Sequence, residues 1–272
     1  MTDTETGSLV IIGGAEDKHG ECRILRRLVE MAGGDRARML ILTAAAEEPG
    51  VVGATYRRVF GELGVAETFI IHVSDRAQAN DPGLLSLLRH ATGVFFTGGD
   101  QLRLTALLGG TTIDRALRQL HRRGAVIAGT SAGASAMSDT MIVGGHDDET
   151  ATRNTVRLAP GMGWLTGVVV DQHFAQRGRI GRLLTALAQN PRVLAVGIDE
   201  DTAVEVGPAG ELEVIGSGTV MVLDGSSCEH TNASEASSDQ SLALTGVTLH
   251  VLPAGYRFII DERLALPRKE AE

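Results

Sequence analysis

The chain has 272 residues, of which 43% are hydrophobic and only 3% aromatic, and its net charge is −9. Such a chain can bury a sizeable core, built of Val, Ile, Leu and Ala rather than rings. The acidic balance argues against a nucleic-acid partner, which needs a basic face to displace counterions. No apolar run reaches the ~20 residues of a membrane span, and "MTDTETGSLVIIGG" lacks the basic start of a secretory signal. The two cysteines, Cys22 and Cys228, lie far apart and match no metal-ligand spacing, so a cytoplasmic, disulfide-free protein is expected.

In chain order, strands are expected at "SLVIIGG" (8–14), "RMLILTAA" (38–45), "TFIIHV" (68–73), "GVFFTGG" (93–99), "AVIAGTS" (125–131) and "GVVVDQHF" (167–174). Several are continuous apolar runs, as strands buried on both faces should be. Helical patterns fall between them: "ECRILRRLVEMAGG", "GATYRRVFGELG", "GLLSLLRHA", "TIDRALRQLHRRG" and "RIGRLLTALAQN". This alternation predicts a mostly parallel sheet with helices on both faces. From about residue 196 the pattern changes to strands alone: "AVGIDE", "DTAVEV", "ELEVIG", "TVMVLD", "VTLHVL" and "YRFIID". These are expected to add antiparallel hairpins at one sheet edge or a small β layer. The Ser-rich stretch 225–241 reads as a surface loop, and no linker divides the chain, so one domain over 1–272 is expected.

At the centre, "GTSAGAS" (129–135) fits Gly-x-Ser-x-Gly. It follows the apolar strand "AVIA" and precedes "GASAMSDTMIV", which reads as a helix. Ser131 would then stand at the carboxyl end of a strand, where open α/β sheets bind ligands, with helix N–H groups beneath it. The same pattern also describes a close-packed turn of small residues with no chemistry.

A serine nucleophile needs a base, and the base needs an orienting acid. His173 closes the strand "GVVVDQHF" and is expected at the same sheet end as Ser131, with His146 in "GGHDDET" as its rival. For the acid, "GIDEDTAVEV" offers Asp199, Glu200 and Asp201. Read as extended chain, Glu200 faces opposite to the other two, which leaves the choice open. The order Ser–His–acid departs from the Ser–acid–His order of α/β-hydrolases and excludes a lipase or esterase of that fold. "FFTGGDQLRLT" (95–105) ends a strand and starts a helix, placing the Gly99 N–H as a second oxyanion donor. It and "IIGGAEDKHG" also invite a nucleotide-phosphate reading, but neither dinucleotide nor P-loop spacing occurs. In "DQHFAQRGRIGRLL" (171–184), Arg177, Arg179 and Arg182 follow the base. Arginine forks grip carboxylates, so this cluster predicts a substrate with more than one carboxylate, while Asp171 and Gln172 offer acceptors for a cationic group.

Taken together, "GGAEDK", "AAAEEPGVVGATYRRVFGELGV", "FFTGGDQLRLT", "AGTSAGASAMSDTMIVGG", "DQHFAQRGRIGRLL", "GIDEDTAV" and "LHVLPAGYRF" resemble the cyanophycinases, serine exopeptidases of the peptidase E-like group (peptidase family S51). The resemblance implies a flavodoxin-like α/β fold akin to class I glutamine amidotransferases, usually a homodimer. It implies hydrolysis of cyanophycin, a polyaspartate carrying arginine on its side-chain carboxylates, to β-Asp-Arg dipeptides without metal or cofactor. By motif it makes Ser131 the nucleophile, His173 the base and Glu200 the third member. Gly99 and Ala132 N–H groups become the oxyanion hole, and Gln101, Asp171, Gln172, Arg177, Arg179 and Arg182 the substrate cleft. Asp147, Asp148 and Glu149 are expected at its rim. A nearer rival is a dipeptidase for α-aspartyl or isoaspartyl peptides; a more distant one is a non-catalytic nucleotide-binding protein.

Overall fold

The computed structural model describes residues 6–145 and 150–268. His146, Asp147, Asp148 and Glu149 therefore lie outside the described residues.

The strands are β1 (Leu9–Ile12), β2 (Arg38–Leu42), β3 (Glu67–Ile71), β4 (Gly93–Phe96), β5 (Val126–Thr130), β6 (Thr140–Gly145), β7 (Val156–Pro160) and β8 (Val168–Gln172). They continue as β9 (Leu194–Ile198), β10 (Thr202–Val206), β11 (Glu211–Gly216), β12 (Thr219–Asp224), β13 (His230–Thr231), β14 (Leu244–Thr245), β15 (Thr248–Pro253), β16 (Arg257–Ile259) and β17 (Leu264–Leu266). The helices are α1 (Arg23–Met31), α2 (Pro49–Glu62), α3 (Arg76–Ala79), α4 (Leu85–Leu88), α5 (Gln101–Leu108), α6 (Thr112–His121), α7 (Ala132–Ser135) and α8 (Ile180–Gln189).

A nine-stranded sheet runs β17-β16-β11-β10-β1-β5-β4-β2-β3. Its half from β1 to β3 is parallel, and its half from β10 to β17 is antiparallel. Period-2 alternation sorts the residues of β1: Val10 and Ile12 pack with α1 and α2, through Leu25, Leu28, Tyr56 and Phe60. Leu9 and Ile11 face the other way, toward Leu104, Leu108, Leu117 and Leu120 of α5 and α6.

That second face also receives a separate four-stranded sheet, β15-β12-β9-β8, a small β layer of the kind expected as one alternative for the C-terminal strands, but with β8 in it. Val168, Val170, Val196, Ile198, Val220 and Val222 of this sheet share a core with Leu9, Ile11, Val204 and Val214 of the large one. Its outer face, with Val169, Ala195 and Leu223, is covered by Leu183, Ala186 and Leu187 of α8. So helices do not simply flank one sheet. "GVVVDQHF" is a buried strand as expected, but it belongs to this second sheet, because its inward valines are covered by another sheet rather than by a helix. The C-terminal strands likewise divide, β10, β11, β16 and β17 extending the large sheet while β9, β12 and β15 build the small one.

A second correction concerns the segment after the elbow. α7 is a single turn, and "TMIVGG" then runs as β6, paired with β7 in a hairpin. The β-branched Thr140, Ile142 and Val143 favour a strand there. Among the described residues no helix is long and apolar enough to cross a membrane. Cys22 and Cys228 are both free thiols.

Candidate active site

Three adjacent parallel strands, β1, β5 and β4, deliver their carboxyl ends to one place. β5 ends at Thr130, opposite Ile12 of β1, so the next residue, Ser131, leaves the sheet beside Gly13. Ser131 adopts φ 52°, ψ −112°, a conformation unusual for a residue with a Cβ. Its N–H donates to the Ile12 carbonyl (3.0 Å), and its carbonyl accepts from Ala134 and Ser135 N–H, both 3.0 Å, to start α7. The elbow's glycines are needed for contact. A Cβ on Gly129 would lie 2.5 Å from the Gly133 carbonyl oxygen, and one on Gly133 would lie 2.5 Å from that of Phe96. Small residues here and a strained serine are thus parts of one turn.

His173 follows β8 at φ 50°, again left-handed. Its N–H donates to the Gly13 carbonyl at 2.8 Å. Consecutive carbonyls at the end of β1 therefore hold the backbones of Ser131 and His173, although the two residues come from different sheets. Ser131 Oγ lies 3.0 Å from His173 Nε2. His173 Nδ1 lies 2.6 Å from Glu200 Oε1. This is the arrangement in which a base activates a hydroxyl and an acid orients the base.

Burial depresses the His173 proton affinity below the ordinary imidazole value, opposed by its hydrogen bond to Glu200 and reinforced by the nearby positive charge of Arg177. The ring is accordingly neutral at neutral pH, the state a general base needs.

The acids at 199–201 sit in the turn between β9 and β10, which crosses from the small sheet to the large one. Asp199 is buried, accepting from Ala175 N–H (3.0 Å), Thr219 N–H (3.0 Å) and Thr219 hydroxyl (2.8 Å). Asp201 accepts from Asp17 N–H at 2.9 Å and from the Ser217 hydroxyl at 2.9 Å. Those two carboxylates are occupied in holding loops, and only Glu200 reaches the imidazole. The chain here is a turn, not a strand, with Asp201 at φ 47°; face alternation did not make the choice.

Gly98 lies against the serine, where an added Cβ would come 3.4 Å from Ser131 Cβ. Gly99 has φ 138°, and its Cβ would fall 2.0 Å from the Ala45 carbonyl oxygen. The β4 exit is thereby pinned against the loop after β2, while Asp100 caps α5 through Leu102 and Arg103 N–H. Ala132 opens α7, so its N–H lies in the first turn, where no intrahelical acceptor exists.

The remaining expected cleft residues divide. Asp171 is in step with Val169 and lies on the α8 side of its sheet, fully buried. Arg182 Nε stands 3.1 Å and Arg179 Nη1 3.3 Å from its carboxylate oxygens. Arg179 Nη1 also donates to the Gln172 carbonyl (2.7 Å) and its side-chain oxygen (3.1 Å). Both arginines are only 5% exposed. Of the three arginines Arg177 is the exposed one. The structure thus turns two of the expected forks inward, toward a carboxylate of the chain itself. Gln101 donates from Nε2 to the Ile142 carbonyl at 2.7 Å, tying α5 to the β6 hairpin.

Two groups escaped the sequence reading. Gly14 (φ 103°) packs on the base, and a Cβ there would lie 2.4 Å from His173 Cε1 and 2.5 Å from Nε2. Glu16 is a buried carboxylate that accepts from the Tyr56 hydroxyl and, at 2.6 Å, from the Thr130 hydroxyl. Burial and the Glu16 charge push the Tyr56 hydroxyl well above its ordinary pKa, so it stays a donor. "GGAEDK" signalled a loop, but nothing in its spacing tells that the loop folds under a histidine 159 positions further on.

The site has the side-chain arrangement of a hydrolase built on a serine. The sequence model of peptidase family S51 matches residues 9–210. A protein named cyanophycinase from Trichormus variabilis is 40% identical over 96% of this chain and 88% of its own length. Another of that name from Geminocystis herdmanii is 42% identical over 92% and 93%. The chain belongs to peptidase family S51, and it is a peptidase. Among solved structures, a peptidase from an acI-B1 Actinobacterium superposes with a TM-score of 0.66 at 22% identity, over 91% of this chain and 98% of that one. A putative peptidase E from Listeria monocytogenes gives 0.53 at 14% identity, over 78% and 100%. At these identities the likeness is one of fold.

Proposed function

We propose that this peptidase hydrolyses cyanophycin, the arginyl-substituted polyaspartate, releasing β-Asp-Arg dipeptides as a serine exopeptidase. The observation that carries the proposal is the continuous line Ser131 Oγ–His173 Nε2–His173 Nδ1–Glu200 Oε1, with contacts of 3.0 and 2.6 Å, in a chain about 40% identical to relatives named cyanophycinase along most of their length.

In this reading His173 Nε2 takes the Ser131 proton as Oγ attacks the scissile backbone carbonyl. The oxyanion receives the Gly99 and Ala132 N–H groups. His173 passes the proton to the leaving amine, the C–N bond breaks, and an acyl ester remains on Ser131. Water, deprotonated by His173, then attacks the ester; the acid product leaves and Ser131 regains its proton. Gln101, Asp171, Gln172, Arg177, Arg179 and Arg182 form the wall against which one β-Asp-Arg unit lies. Arg177 meets it directly, and the buried Asp171, Arg179 and Arg182 act from behind by fixing the segment that carries Gln172 and His173. The chain works as one α/β unit, and the family resemblance extends the proposal to a cytoplasmic homodimer. The exposed Leu249 and Val251, on one face of outer strand β15, support such an interface.

Incubating the purified protein with insoluble cyanophycin, beside soluble α-aspartyl and isoaspartyl dipeptides, and weighing the products tests the reading. β-Asp-Arg from the polymer is the expected product. Ser131→Ala should lose activity on the scale of ~10⁶, as serine proteases do without their nucleophile. Cleavage of the dipeptides alone would replace the polymer by a dipeptide substrate.

A further inference from the structure

Beside Ser131, away from the 171–182 segment, a pocket of about 290 Å³ opens between the β1 exit loop and α2. Its size is near the lower end of ordinary ligand sites (~300 Å³). Ala15, Lys18, Val51, Val52, Thr55 and Ser131 contribute to its lining. Lys18 is its cation, and three contacts position its ammonium. Nζ lies 3.1 Å from Glu16 Oε1, 3.1 Å from the Glu16 carbonyl oxygen and 5.2 Å from the centre of the Tyr56 ring. One of those contacts is a hydrogen bond, to the carbonyl, and one an ion pair, so an ammonium with three N–H groups keeps donor capacity for a ligand. The side chains of Lys18 and Glu16 are 22% and 1% exposed. A ligand in the pocket therefore meets the ammonium, while the carboxylate stays behind it, its charge shared with the Tyr56 and Thr130 hydroxyls.

The same carboxylate couples the pocket to the nucleophile. Thr130, which it grips at 2.6 Å, is the residue immediately before Ser131. A group bound at Lys18 is thus registered against the elbow through two short side chains and one peptide unit.

We propose that Lys18 is the anchor of a second substrate subsite, one that takes a carboxylate of the polymer unit lying across the scissile bond from the unit held by the 171–182 wall. This rests on the cyanophycin reading and adds to it a specificity-determining residue on the opposite side of Ser131. Two carboxylates of such a substrate have the right chemistry: an arginine α-carboxylate, and the terminal carboxylate of the aspartate backbone. A positively charged group is disfavoured, since both Lys18 and Glu16 line the pocket but the Lys18 side chain is the more exposed of the two.

The test uses a synthetic trimer of β-Asp-Arg units and four analogues, each with one arginine or chain-terminal carboxylate converted to a carboxamide. kcat/KM is measured for all five with the wild type, Lys18→Met, Lys18→Gln and Lys18→Arg, the last retaining the cation. One amidation should cost the wild type at least tenfold and Lys18→Arg a similar factor, but cost Lys18→Met and Lys18→Gln less than twofold. Which carboxamide does so identifies the source of the carboxylate. Each comparison is a ratio within one enzyme, so a reduced folded fraction cancels. Equal factors in wild type and uncharged variants at every position would overturn the subsite, as would a uniform loss on all five substrates, which would reduce Lys18 to a brace for Glu16. If the wild type cleaves none of the five yet cleaves soluble aspartyl dipeptides, the cyanophycin reading itself fails and takes the subsite with it.

Discussion

Gly14 and His173 touch so closely that any side chain on the glycine would displace the imidazole: an added Cβ falls 2.4 Å from Cε1. The carbonyl just before this contact, that of Gly13, also accepts the His173 N–H. The β1 exit loop therefore sets both the backbone and the ring of the base. Gly14→Ala should leave the sheets intact but push Nε2 off Ser131 Oγ. We expect kcat to fall by about 10²-fold, the scale on which ångström misplacement acts, with KM changing little. Near wild-type kcat in a folded Gly14→Ala protein would show that the ring has room to move.

The acid limb of activity follows from the His173 environment. Burial lowers its proton affinity below the ordinary value, so kcat/KM should fall only as pH drops below about 6.5. Glu200 works in the opposite sense, raising that affinity; in Glu200→Gln the limb should shift to lower pH. The sign for stability agrees: the unfolded chain holds this proton more tightly, so protonation favours unfolding as pH falls through the folded value. A pH profile of kcat/KM for both proteins decides it, and a limb that moves upward in the variant would contradict the assignment.

Glu200→Gln and Asp199→Asn make an informative pair. Removing the Glu200 charge should lower kcat by about 10²- to 10⁴-fold with an unchanged melting temperature. Asp199 holds Ala175 and Thr219 N–H groups, so the amide of Asp199→Asn must turn an N–H toward a donor. That should cost about 1–3 kcal/mol of stability with the Ser131–His173 contact retained. Denaturant titration beside kinetics separates the two, and the reverse pattern would exchange their roles.

Asp171→Asn should be the most destabilising single change near the site. Arg179 and Arg182 both point at this fully buried carboxylate, and removing one partner of a buried ionic cluster costs about 3–5 kcal/mol. Arg179→Ala should likewise lower the urea midpoint before it raises KM. A stable Arg179→Ala protein with an elevated KM would restore that arginine to direct contact with substrate.

Much of this was readable in the sequence, and the exceptions share a cause. The strand spans, the elbow and His173 could be found because apolar runs, small residues and strand ends leave local patterns. That β8 joins a second sheet was not readable, since a valine run looks the same whether a helix or another sheet covers it. The single turn of α7 was overrun because "GASAM" suits a helix and only the pairing of β6 with β7 stops it. The three acids at 199–201 are indistinguishable by composition; their partners Ala175, Thr219, Asp17 and Ser217 lie 16 to 184 positions away. Arg179 and Arg182 read as forks for substrate carboxylates because Asp171, the charge they answer, precedes them on another element.

Ser131 leaves the large sheet and His173 the small one, and the two meet only where both lean on the end of β1. The working contact is therefore a seam between two packed bodies, not a fixture of either. Sliding one sheet along the other by a fraction of an ångström would separate hydroxyl from imidazole while every strand kept its hydrogen bonds. Loss of activity on warming is then an early report of loosening between the sheets, read out before any strand comes apart.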